Sequence, residues 1–182
     1  MDPAQTRSAA RWRALLPVLA LAGVIVVADQ LVKLWIVNTI GRGQPIHEIV
    51  WVPGWLVLQY VENTGAAFGV LTNASWLLAV LAAVVSVAIV LTAPRLGAEV
   101  GVGRARRLLL LSLGLVLGGA VGNLIDRLMH GYVVDFVLVP SAHISLGGLT
   151  YQFPNFNVAD SAITVGIVLL LFNLLFVSDR SG

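Results

Sequence analysis

The chain alternates between long apolar stretches and shorter polar or mixed segments. There are four apolar stretches, at about residues 14–37, 75–93, 108–129 and 158–177. At a rise of about 1.5 Å per residue, each can cross about 30 Å of hydrocarbon as a helix. The first stretch is longer than the apolar region of a signal peptide, about 7–15 residues, so we expect it to be retained. The pattern predicts an all-α membrane protein whose four transmembrane helices form one domain, residues 1–182.

The segment between the first two predicted spans, residues 38–74, is unusually apolar for a loop. Two β-prone runs, Ile49–Val52 and Leu56–Val61, flank Pro53-Gly54, a pair typical of turns. The segment also carries amphipathic aromatic residues, a type that collects at the headgroup level of membranes: Trp51, Trp55 and Tyr60. We therefore predict a small β-hairpin that forms a platform at the outer membrane face.

The loop between the third and fourth spans, residues 130–157, has two parts. The β-branched run Tyr132–Val139 predicts a short extended segment, and Asp135 lies within it. Gly147-Gly148 and Pro154 interrupt the remainder, so we predict no regular element there.

Composition separates the chain from soluble proteins and also suggests its orientation. It is 58% hydrophobic and 11% charged, whereas soluble domains are about 45–50% apolar and about 25% charged. Without cysteine, it has no disulfide and no thiol nucleophile.

Eight of the 11 Lys and Arg residues lie within residues 1–13, 94–107 and 178–182. Because basic residues mark the cytoplasmic side, we predict that both termini are cytoplasmic and that the loops at 38–74 and 130–157 are outside.

A few ionisable residues interrupt the apolar stretches, where a charge at mid-membrane costs about 2.5–3.5 kcal/mol. Asp29 and Lys33 stand four residues apart, in the favoured order for a helical ion pair. They either only neutralise each other or help to shape a site. Asn123, Asp126 and Arg127 lie near the end of the third stretch, where Asp126 either pairs with Arg127 or caps loop backbone.

The fourth stretch begins after Asn157, a good N-cap, and Asp160 follows three residues later. An acid in a first turn faces the positive end of the helix dipole, so capping alone accounts for Asp160. Capping does not explain why a loop acid, Asp135, reaches the same membrane face. Further upstream, Glu62–Gly69 combines an Asn with glycines and small residues. It is either an ordinary turn or a place where a ligand backbone approaches closely.

The residue types present limit the hydrolytic chemistry. The chain has no HExxH pair and no G-x-S-x-G elbow, and its histidines are scattered through loops: His47, His130 and His143. Carboxylates remain, and because a pair of them can supply both acid and base, we expect no metal and no organic cofactor. Two carboxylates about 4 Å apart repel by about 4 kcal/mol at an effective dielectric of about 20, roughly three pKa units, so they share one proton. Asp135 and Asp160 can then act as one general acid and one general base.

Five short motifs occur along the chain: Asp29-Gln30-x-x-Lys33, Glu62-Asn63-Thr64-Gly65-Ala66-Ala67-Phe68, Gly122-Asn123-x-x-Asp126-Arg127, Val133-Val134-Asp135-Phe136 and Phe156-Asn157-x-Ala159-Asp160. Together with the four spans, this set resembles bacterial lipoprotein signal peptidase, also called signal peptidase II, over essentially the whole chain. The resemblance implies an intramembrane aspartic endopeptidase with Asp135 and Asp160 as its catalytic residues. It also implies substrate-binding or supporting roles for further residues: Asp29, Lys33, Asn63, Gly65, Asn123, Asp126, Arg127 and Asn157.

The same resemblance implies a substrate and a location. The substrate is a prolipoprotein whose cysteine carries a diacylglyceryl group, and cleavage on the amino side of that cysteine releases the signal peptide. The enzyme is a multi-pass protein of the bacterial cytoplasmic (inner) membrane with its active site toward the extracytoplasmic face. We expect membrane lipid as a second partner, no nucleic acid and a monomer.

Two other classes of function compete with this interpretation. A small proton- or ion-coupled transporter would use Asp29, Lys33, Asp126 and Arg127 as a relay, but its acids would be distributed through the membrane depth. A non-catalytic assembly protein would depend on close packing of the third stretch, where glycine recurs every fourth residue: Gly114, Gly118 and Gly122. That protein would tolerate Asn in place of either predicted catalytic acid.

Overall fold

Each apolar stretch forms one long helix in the computed structural model, which describes residue 12 and residues 15–65, 74–100, 102–146 and 149–177. The helices are α1 (Leu15–Ile40), α2 (Ser75–Glu99), α3 (Arg104–His130) and α4 (Val158–Phe176). All four are long and apolar enough to cross a membrane. For the part of the chain described, the prediction of a four-helix membrane fold is confirmed.

Three of the helices, α1, α2 and α3, end beyond the spans predicted for them, and the difference is largest in α2, which continues past Pro94. The predicted spans leave residues 94–107 as the connection between them, but α2 continues through Pro94 to Glu99 and α3 begins at Arg104. Proline inside a helix removes one hydrogen bond and costs about 3 kcal/mol. The last turns of α2 are nevertheless held, because Arg106 Nε donates to the carbonyl of Gly97 at 2.8 Å. The connection is therefore shorter than the sequence suggested.

The central helix of the bundle is α3, which packs against the other three and buries most of its apolar residues. Its glycines allow this close approach. A Cβ on Gly118 would lie 3.0 Å from Ala22 Cα of α1, and a Cβ on Gly119 would collide with the Ala159 carbonyl of α4. The repeated glycines face α1, in agreement with the packing that their spacing predicts: Gly114, Gly118 and Gly122.

A three-stranded antiparallel sheet lies at one end of the helices. The predicted hairpin consists of β1 (Glu48–Val52) and β2 (Leu56–Asn63), and β2 also pairs with β3 (Val133–Leu138). The register pairs Asn63 with Val133 and Val61 with Asp135. The extended segment predicted after the third span is therefore the third strand of the platform.

The sheet packs on the last turns of α1. A buried apolar cluster joins Ile36 and Ile40 of α1 to Leu58 of β2 and to two residues of β3, Val134 and Phe136. Alternate residues of a strand point to opposite faces, so this packing turns the side chain between Val134 and Phe136 away from α1. That side chain is the first predicted catalytic acid.

A second hairpin follows β3, formed by β4 (His143–Leu146) and β5 (Leu149–Gln152). We predicted no regular element in this part of the loop, and that prediction was wrong. Gly147-Gly148 lies between the two strands, where a Gly-Gly pair favours a tight connection instead of ending regular structure. The Gln152 side chain ties the hairpin to the chain just beyond β3 by donating to two backbone carbonyls.

Candidate active site

Asp135 lies in the middle of β3 and is only 2% exposed. Asn63 Nδ2 donates to its Oδ2 at 2.8 Å, and Asn157 Nδ2 donates to its Oδ1 at 2.8 Å. Burial, and next the charge of Asp160, raise the pKa of Asp135 to about 7, although both amides oppose the shift. This carboxyl therefore titrates near neutral pH, as acid–base catalysis requires.

Asp160 lies in the first turn of α4, where it forms a capping box with Asn157. Asn157 Oδ1 accepts from the Asp160 N–H at 2.8 Å, and Asp160 Oδ2 accepts from the Asn157 N–H at 3.2 Å. The capping interpretation is therefore correct. The remaining oxygen, Oδ1, accepts from Asn123 Nδ2 at 2.7 Å, so the same carboxyl also belongs to a polar cluster between helices.

The side chain of Asn157 connects the two acids. Its Nδ2 donates to Asp135, while its Oδ1 caps the turn that carries Asp160. A short backbone pairing brings it there, because the N–H and carbonyl of Phe156 both bond to Val137 of β3. Since Asn157 follows this bridge directly, the start of α4 is held beside β3.

The orientation of the Asn123 amide is determined from two sides. Lys33 Nζ donates to Asn123 Oδ1 at 3.2 Å, and Asn157 Nδ2 donates to the same oxygen at 3.1 Å. Because the oxygen accepts from both donors, the amino group of Asn123 is directed at the carboxyl of Asp160. Asn123 thus links Asp160 and Asn157, at the start of α4, to Lys33 of α1.

A buried cation, Lys33, lies between two further acids. Its Nζ is 2.7 Å from Asp29 Oδ2 and 2.9 Å from Asp126 Oδ2, and all three side chains are buried. Gln30 Nε2 donates to Asp126 Oδ1 at 3.0 Å. Asp29 Oδ1 accepts from the Ala159 N–H at 2.9 Å, next to Asp160. Asp29 and Lys33 therefore neutralise each other and also join α1 to the site. Both roles that the sequence left open for this pair, neutralisation and shaping of a site, are compatible with these contacts.

Asp126 pairs with Lys33 rather than with Arg127. Its Oδ2 also accepts from the Val134 N–H at 3.0 Å. Of the two alternatives that the sequence left open, capping of the backbone after the helix is the one observed. This bond attaches the first residues of β3 to the last turn of α3, just before Asp135.

Arg127 lies one turn after Asn123, and its Nη1 donates to the Asn123 carbonyl at 3.3 Å. Its Nε is buried and has no hydrogen-bond partner among the described residues. The guanidinium interacts electrostatically with both Asp160 and Asp135. It therefore places a positive charge and an unused donor close to both acids.

Asn63 and Gly65 act together at the end of β2. Asn63 Oδ1 accepts from the Gly65 N–H at 3.0 Å, which leaves the amino group of Asn63 for Asp135. Residues 66–69, for which the sequence left open an ordinary turn or close approach to a ligand, lie outside the described residues. That part of the prediction stays a prediction.

Several polar residues around the site were missed by sequence reasoning. Gln30 bridges two acids, and its place directly after Asp29 in the first motif was the available signal. The Tyr60 hydroxyl lies 2.7 Å from Glu62 Oε1 and 3.1 Å from the Tyr132 hydroxyl. Burial raises the pKa of Tyr60 above its usual range, so it remains a neutral hydrogen-bonding group. Its spacing of two from Glu62 on one strand was the signal for this contact.

These groups suit acid–base hydrolysis. The two acids are joined through amide side chains, one of them titrates near neutral pH, and a guanidinium lies close to both. Over the described ranges of the chain, no group of three or more His, Asp or Glu residues is arranged to hold a metal ion.

Comparison with known proteins decides the family. Residues 21–176 match the family model described as Signal peptidase (SPase) II. The chain belongs to the signal peptidase II family. A lipoprotein signal peptidase of Symbiobacterium thermophilum is 45% identical over 166 residues, which cover 90% of this chain and 97% of that protein. One of Pseudomonas putida is 42% identical over 161 residues, covering 86% and 85%. Members of the signal peptidase II family are aspartic proteases, so the resemblance suggested by the motifs is confirmed.

Solved structures agree with this assignment. A bacterial membrane enzyme determined by the in meso method at 2.3 Å resolution matches with a TM-score of 0.70 and 27% identity over 91% of each chain. A second, at 1.9 Å, matches with a TM-score of 0.68 and 28% identity over 88% of this chain and 93% of that chain. Membership in the signal peptidase II family gives the transporter alternative no support.

Proposed function

We propose that the protein removes the signal peptide from diacylglyceryl-modified prolipoproteins and that Asp135 and Asp160 form its catalytic dyad. The observation that carries this proposal is the Asn157 side chain, which donates to one acid and caps the turn that holds the other. The family assignment supports the reaction class, since the relatives compared above are lipoprotein signal peptidases.

The dyad shares one proton near neutral pH. The ionised carboxyl takes a proton from water, the water oxygen attacks the scissile carbonyl carbon, and the protonated carboxyl gives its proton to the carbonyl oxygen. The resulting tetrahedral diol then collapses. Its C–N bond breaks, one carboxyl protonates the departing nitrogen, and the other takes the proton of a diol hydroxyl. The dyad is thereby returned to its starting protonation state.

The surrounding side chains hold and complement the dyad. Asn63 and Asn123 each donate to one of the two acids and so orient the carboxyls. Arg127 offers its unused buried Nε–H to a carbonyl of the substrate backbone. Lys33 offsets the charge of the two buried acids beneath the site. These are positioning and binding roles, and they leave proton transfer to the dyad.

We infer that the enzyme acts as a monomer in the bacterial cytoplasmic membrane, with the dyad at the extracytoplasmic face. The distribution of basic residues supports this orientation. A lipid-modified cysteine keeps its acyl chains in the bilayer while the signal peptide spans it, so the scissile bond is held near the membrane surface. Acids gathered at one end of four membrane-spanning helices suit such a substrate.

Cleavage of a lipid-modified precursor in detergent tests the dyad. We expect Asp135→Asn and Asp160→Asn to remain folded but to release no signal peptide. Glu48→Gln, which replaces an exposed acid on β1, serves as a matched control and should cleave normally. We also expect a precursor without the lipid to be cut poorly. Full turnover by either Asn variant would exclude the proposed dyad.

A further inference from the structure

Strand β2 contains a β-bulge directly beside the first acid of the proposed dyad. Between Leu58 and Val61, β2 carries one residue more than the part of β3 that it pairs with. Two neighbouring residues of β2, Gln59 and Tyr60, therefore lie opposite the single residue Phe136. Bulges are frequent next to active sites, where they change the direction of a side chain. This bulge is accordingly a candidate for directing a side chain toward the site.

The bulge determines which face of the sheet the Asn63 side chain points to. In the observed register Asn63 lies opposite Val133, two residues from Asp135 and so on the same face. Without the extra residue, Asn63 would lie opposite Tyr132 and would point to the other face, because a slip of one residue turns every side chain over. The same slip would move Asn63 by about 3.3 Å along β3. The 2.8 Å hydrogen bond from Asn63 to Asp135 therefore requires the bulge.

Tyr60 supplies the bulge with contacts that the strand ladder does not provide. A bulge leaves its extra residue unpaired in the ladder, so other groups have to hold it. The Tyr60 hydroxyl lies 2.7 Å from Glu62 Oε1 and 3.1 Å from the Tyr132 hydroxyl. Because a hydroxyl has one proton, Tyr60 donates to Glu62 and accepts from Tyr132. The Tyr60 ring packs against the apolar cluster between α1 and the sheet, so both ends of the side chain are held.

The two partners of this hydroxyl are themselves fixed to the ends of helices. Glu62 forms an ion pair with Arg42, two residues after the end of α1. Tyr132 follows Gly131, the residue that caps the C-terminus of α3. Tyr60 therefore fastens the bulge to the ends of α1 and α3, and loss of its hydroxyl would release this attachment.

We propose that Tyr60 is a positioning residue for the reaction proposed above: its hydroxyl holds the bulge of β2 and thereby keeps the Asn63 amide directed at Asp135. This role rests on the proposed function, since Asn63 orients one acid of the dyad. Glu62 and Asn63 are adjacent in β2 and so point to opposite faces of the sheet. Tyr60 therefore acts from the face opposite the dyad, by orienting a group that in turn orients the acid.

Removal of the Tyr60 hydroxyl tests this role. Tyr60→Phe keeps the packed ring and should remain folded. We expect its kcat for a lipid-modified precursor in detergent to fall at least about fivefold, because small misplacements slow catalysis. KM should not change, since the variant removes no contact with the substrate. Tyr151→Phe is the matched control, because it removes the hydroxyl of an exposed tyrosine on β5. Equal kcat values for the two variants would overturn the proposal.

A double-mutant cycle tests whether Tyr60 acts through Asn63. Asn63→Ala removes the amide that donates to Asp135. We expect Tyr60→Phe to cause no further loss of kcat in Asn63→Ala, because both changes remove the same orienting contact. A loss in that background as large as in the unmodified protein would contradict the proposed role. So would a loss of activity that thermal unfolding traces entirely to unfolded protein, because Tyr60 would then have only a structural role.

The pH dependence of unfolding gives a readout that requires no cleavage. The Asn63 amide lowers the pKa of Asp135, which lies at about 7, so displacement of the amide in Tyr60→Phe raises that pKa further. The folded state then keeps this proton to higher pH, and the fall of stability with rising pH extends to higher pH than in the unmodified protein. The other charged groups that act on Asp135 are unchanged in this variant: Asp160, Lys33 and Arg127.

Asp135→Asn is the control for this measurement, since Tyr60→Phe should have no effect on the pH dependence of unfolding in that background. Identical pH profiles of unfolding for Tyr60→Phe and the unmodified protein would refute a role for Tyr60 at Asp135. Because no precursor is used, failure of the proposed reaction would leave this result intact, and the two failures are distinguishable.

Discussion

Replacing Asn157 by Asp separates the two roles of this side chain. Asp is about as good an N-cap as Asn, so the oxygen that accepts from the Asp160 N–H is retained. The amino group that donates to Asp135 Oδ1 at 2.8 Å becomes an oxygen instead. The same amino group also donates to Asn123 Oδ1 at 3.1 Å and to the Val134 carbonyl at 3.3 Å, so three hydrogen bonds are lost and two carboxyl groups come into contact, while α4 keeps its cap.

The size of the effect follows from that distance. Two unit charges 2.8 Å apart repel by about 6 kcal/mol at an effective dielectric of about 20, or about four pKa units. The site relieves this repulsion by binding another proton, but it still loses the hydrogen bonds of the amino group, of which the one to the charged carboxyl alone contributes about 1.5–3 kcal/mol. That loss corresponds to cleavage about 10- to 100-fold slower. The added charge raises the pKa of Asp135 above its value of about 7, so the optimum moves to higher pH.

The assay measures kcat/KM for a lipid-modified precursor in detergent across about pH 5–9, together with thermal unfolding in the same detergent. We expect Asn157→Asp to remain folded while it shows the slower rate and the displaced optimum. Asn157→Ala is the control, since it loses the same donor and also the cap, which contributes about 0.5–2 kcal/mol. An unchanged rate and pH profile for Asn157→Asp would refute the argument that this amide holds the dyad.

Three further predictions concern stability, each measured by thermal unfolding in detergent. The native pKa of Asp135, about 7, lies above its ordinary value of 3.8. The folded state therefore binds this proton more tightly, stability falls as pH rises from about 4 to about 7, and Asp135→Asn removes that decline. Lys33→Met leaves two buried acids without their cation and lowers the free energy of unfolding by about 3–5 kcal/mol. As its control, Arg42→Ala breaks an exposed ion pair and lowers the free energy of unfolding by less than about 1 kcal/mol. Gly119→Ala places a Cβ against the backbone of α4 and costs about 1–3 kcal/mol, whereas Gly23→Ala meets no atom within 4 Å and should be neutral or slightly stabilising.

Each of these predictions has an outcome that contradicts it. A decline in stability that persists in Asp135→Asn would assign the pH dependence to another group. If Lys33→Met were as mild as Arg42→Ala, the buried cluster would contribute no more than a surface pair. Equal effects of the two glycine replacements would remove the argument that α3 and α4 pack closely at Gly119.

Residue order alone was enough to predict the membrane architecture and to propose the residues that carry the chemistry. Length and polarity of a stretch are local properties, so the four helices and the hairpin around Pro53-Gly54 were predictable from the order of residues alone. The motifs also singled out Asp135 and Asp160, because the chain offers few other groups for hydrolysis. Local signals were misleading where context overrides them. Pro94 lies inside α2, and Gly147-Gly148 lies between two strands.

Which polar groups meet depends on how the helices and the sheet pack together. Asp29 accepts a hydrogen bond from the backbone of Ala159, 130 residues away, and Lys33 binds Asp126 on another helix. The spacing of residues along a chain specifies neighbours on one helix but not partners across a bundle. The contact of Asn157 with Asp135 likewise depends on the pairing of the chain before α4 with β3. The acids of the proposed dyad were therefore predictable from sequence, whereas the amide and ionic contacts that orient them arise from the packing of α1, α3, α4 and the sheet.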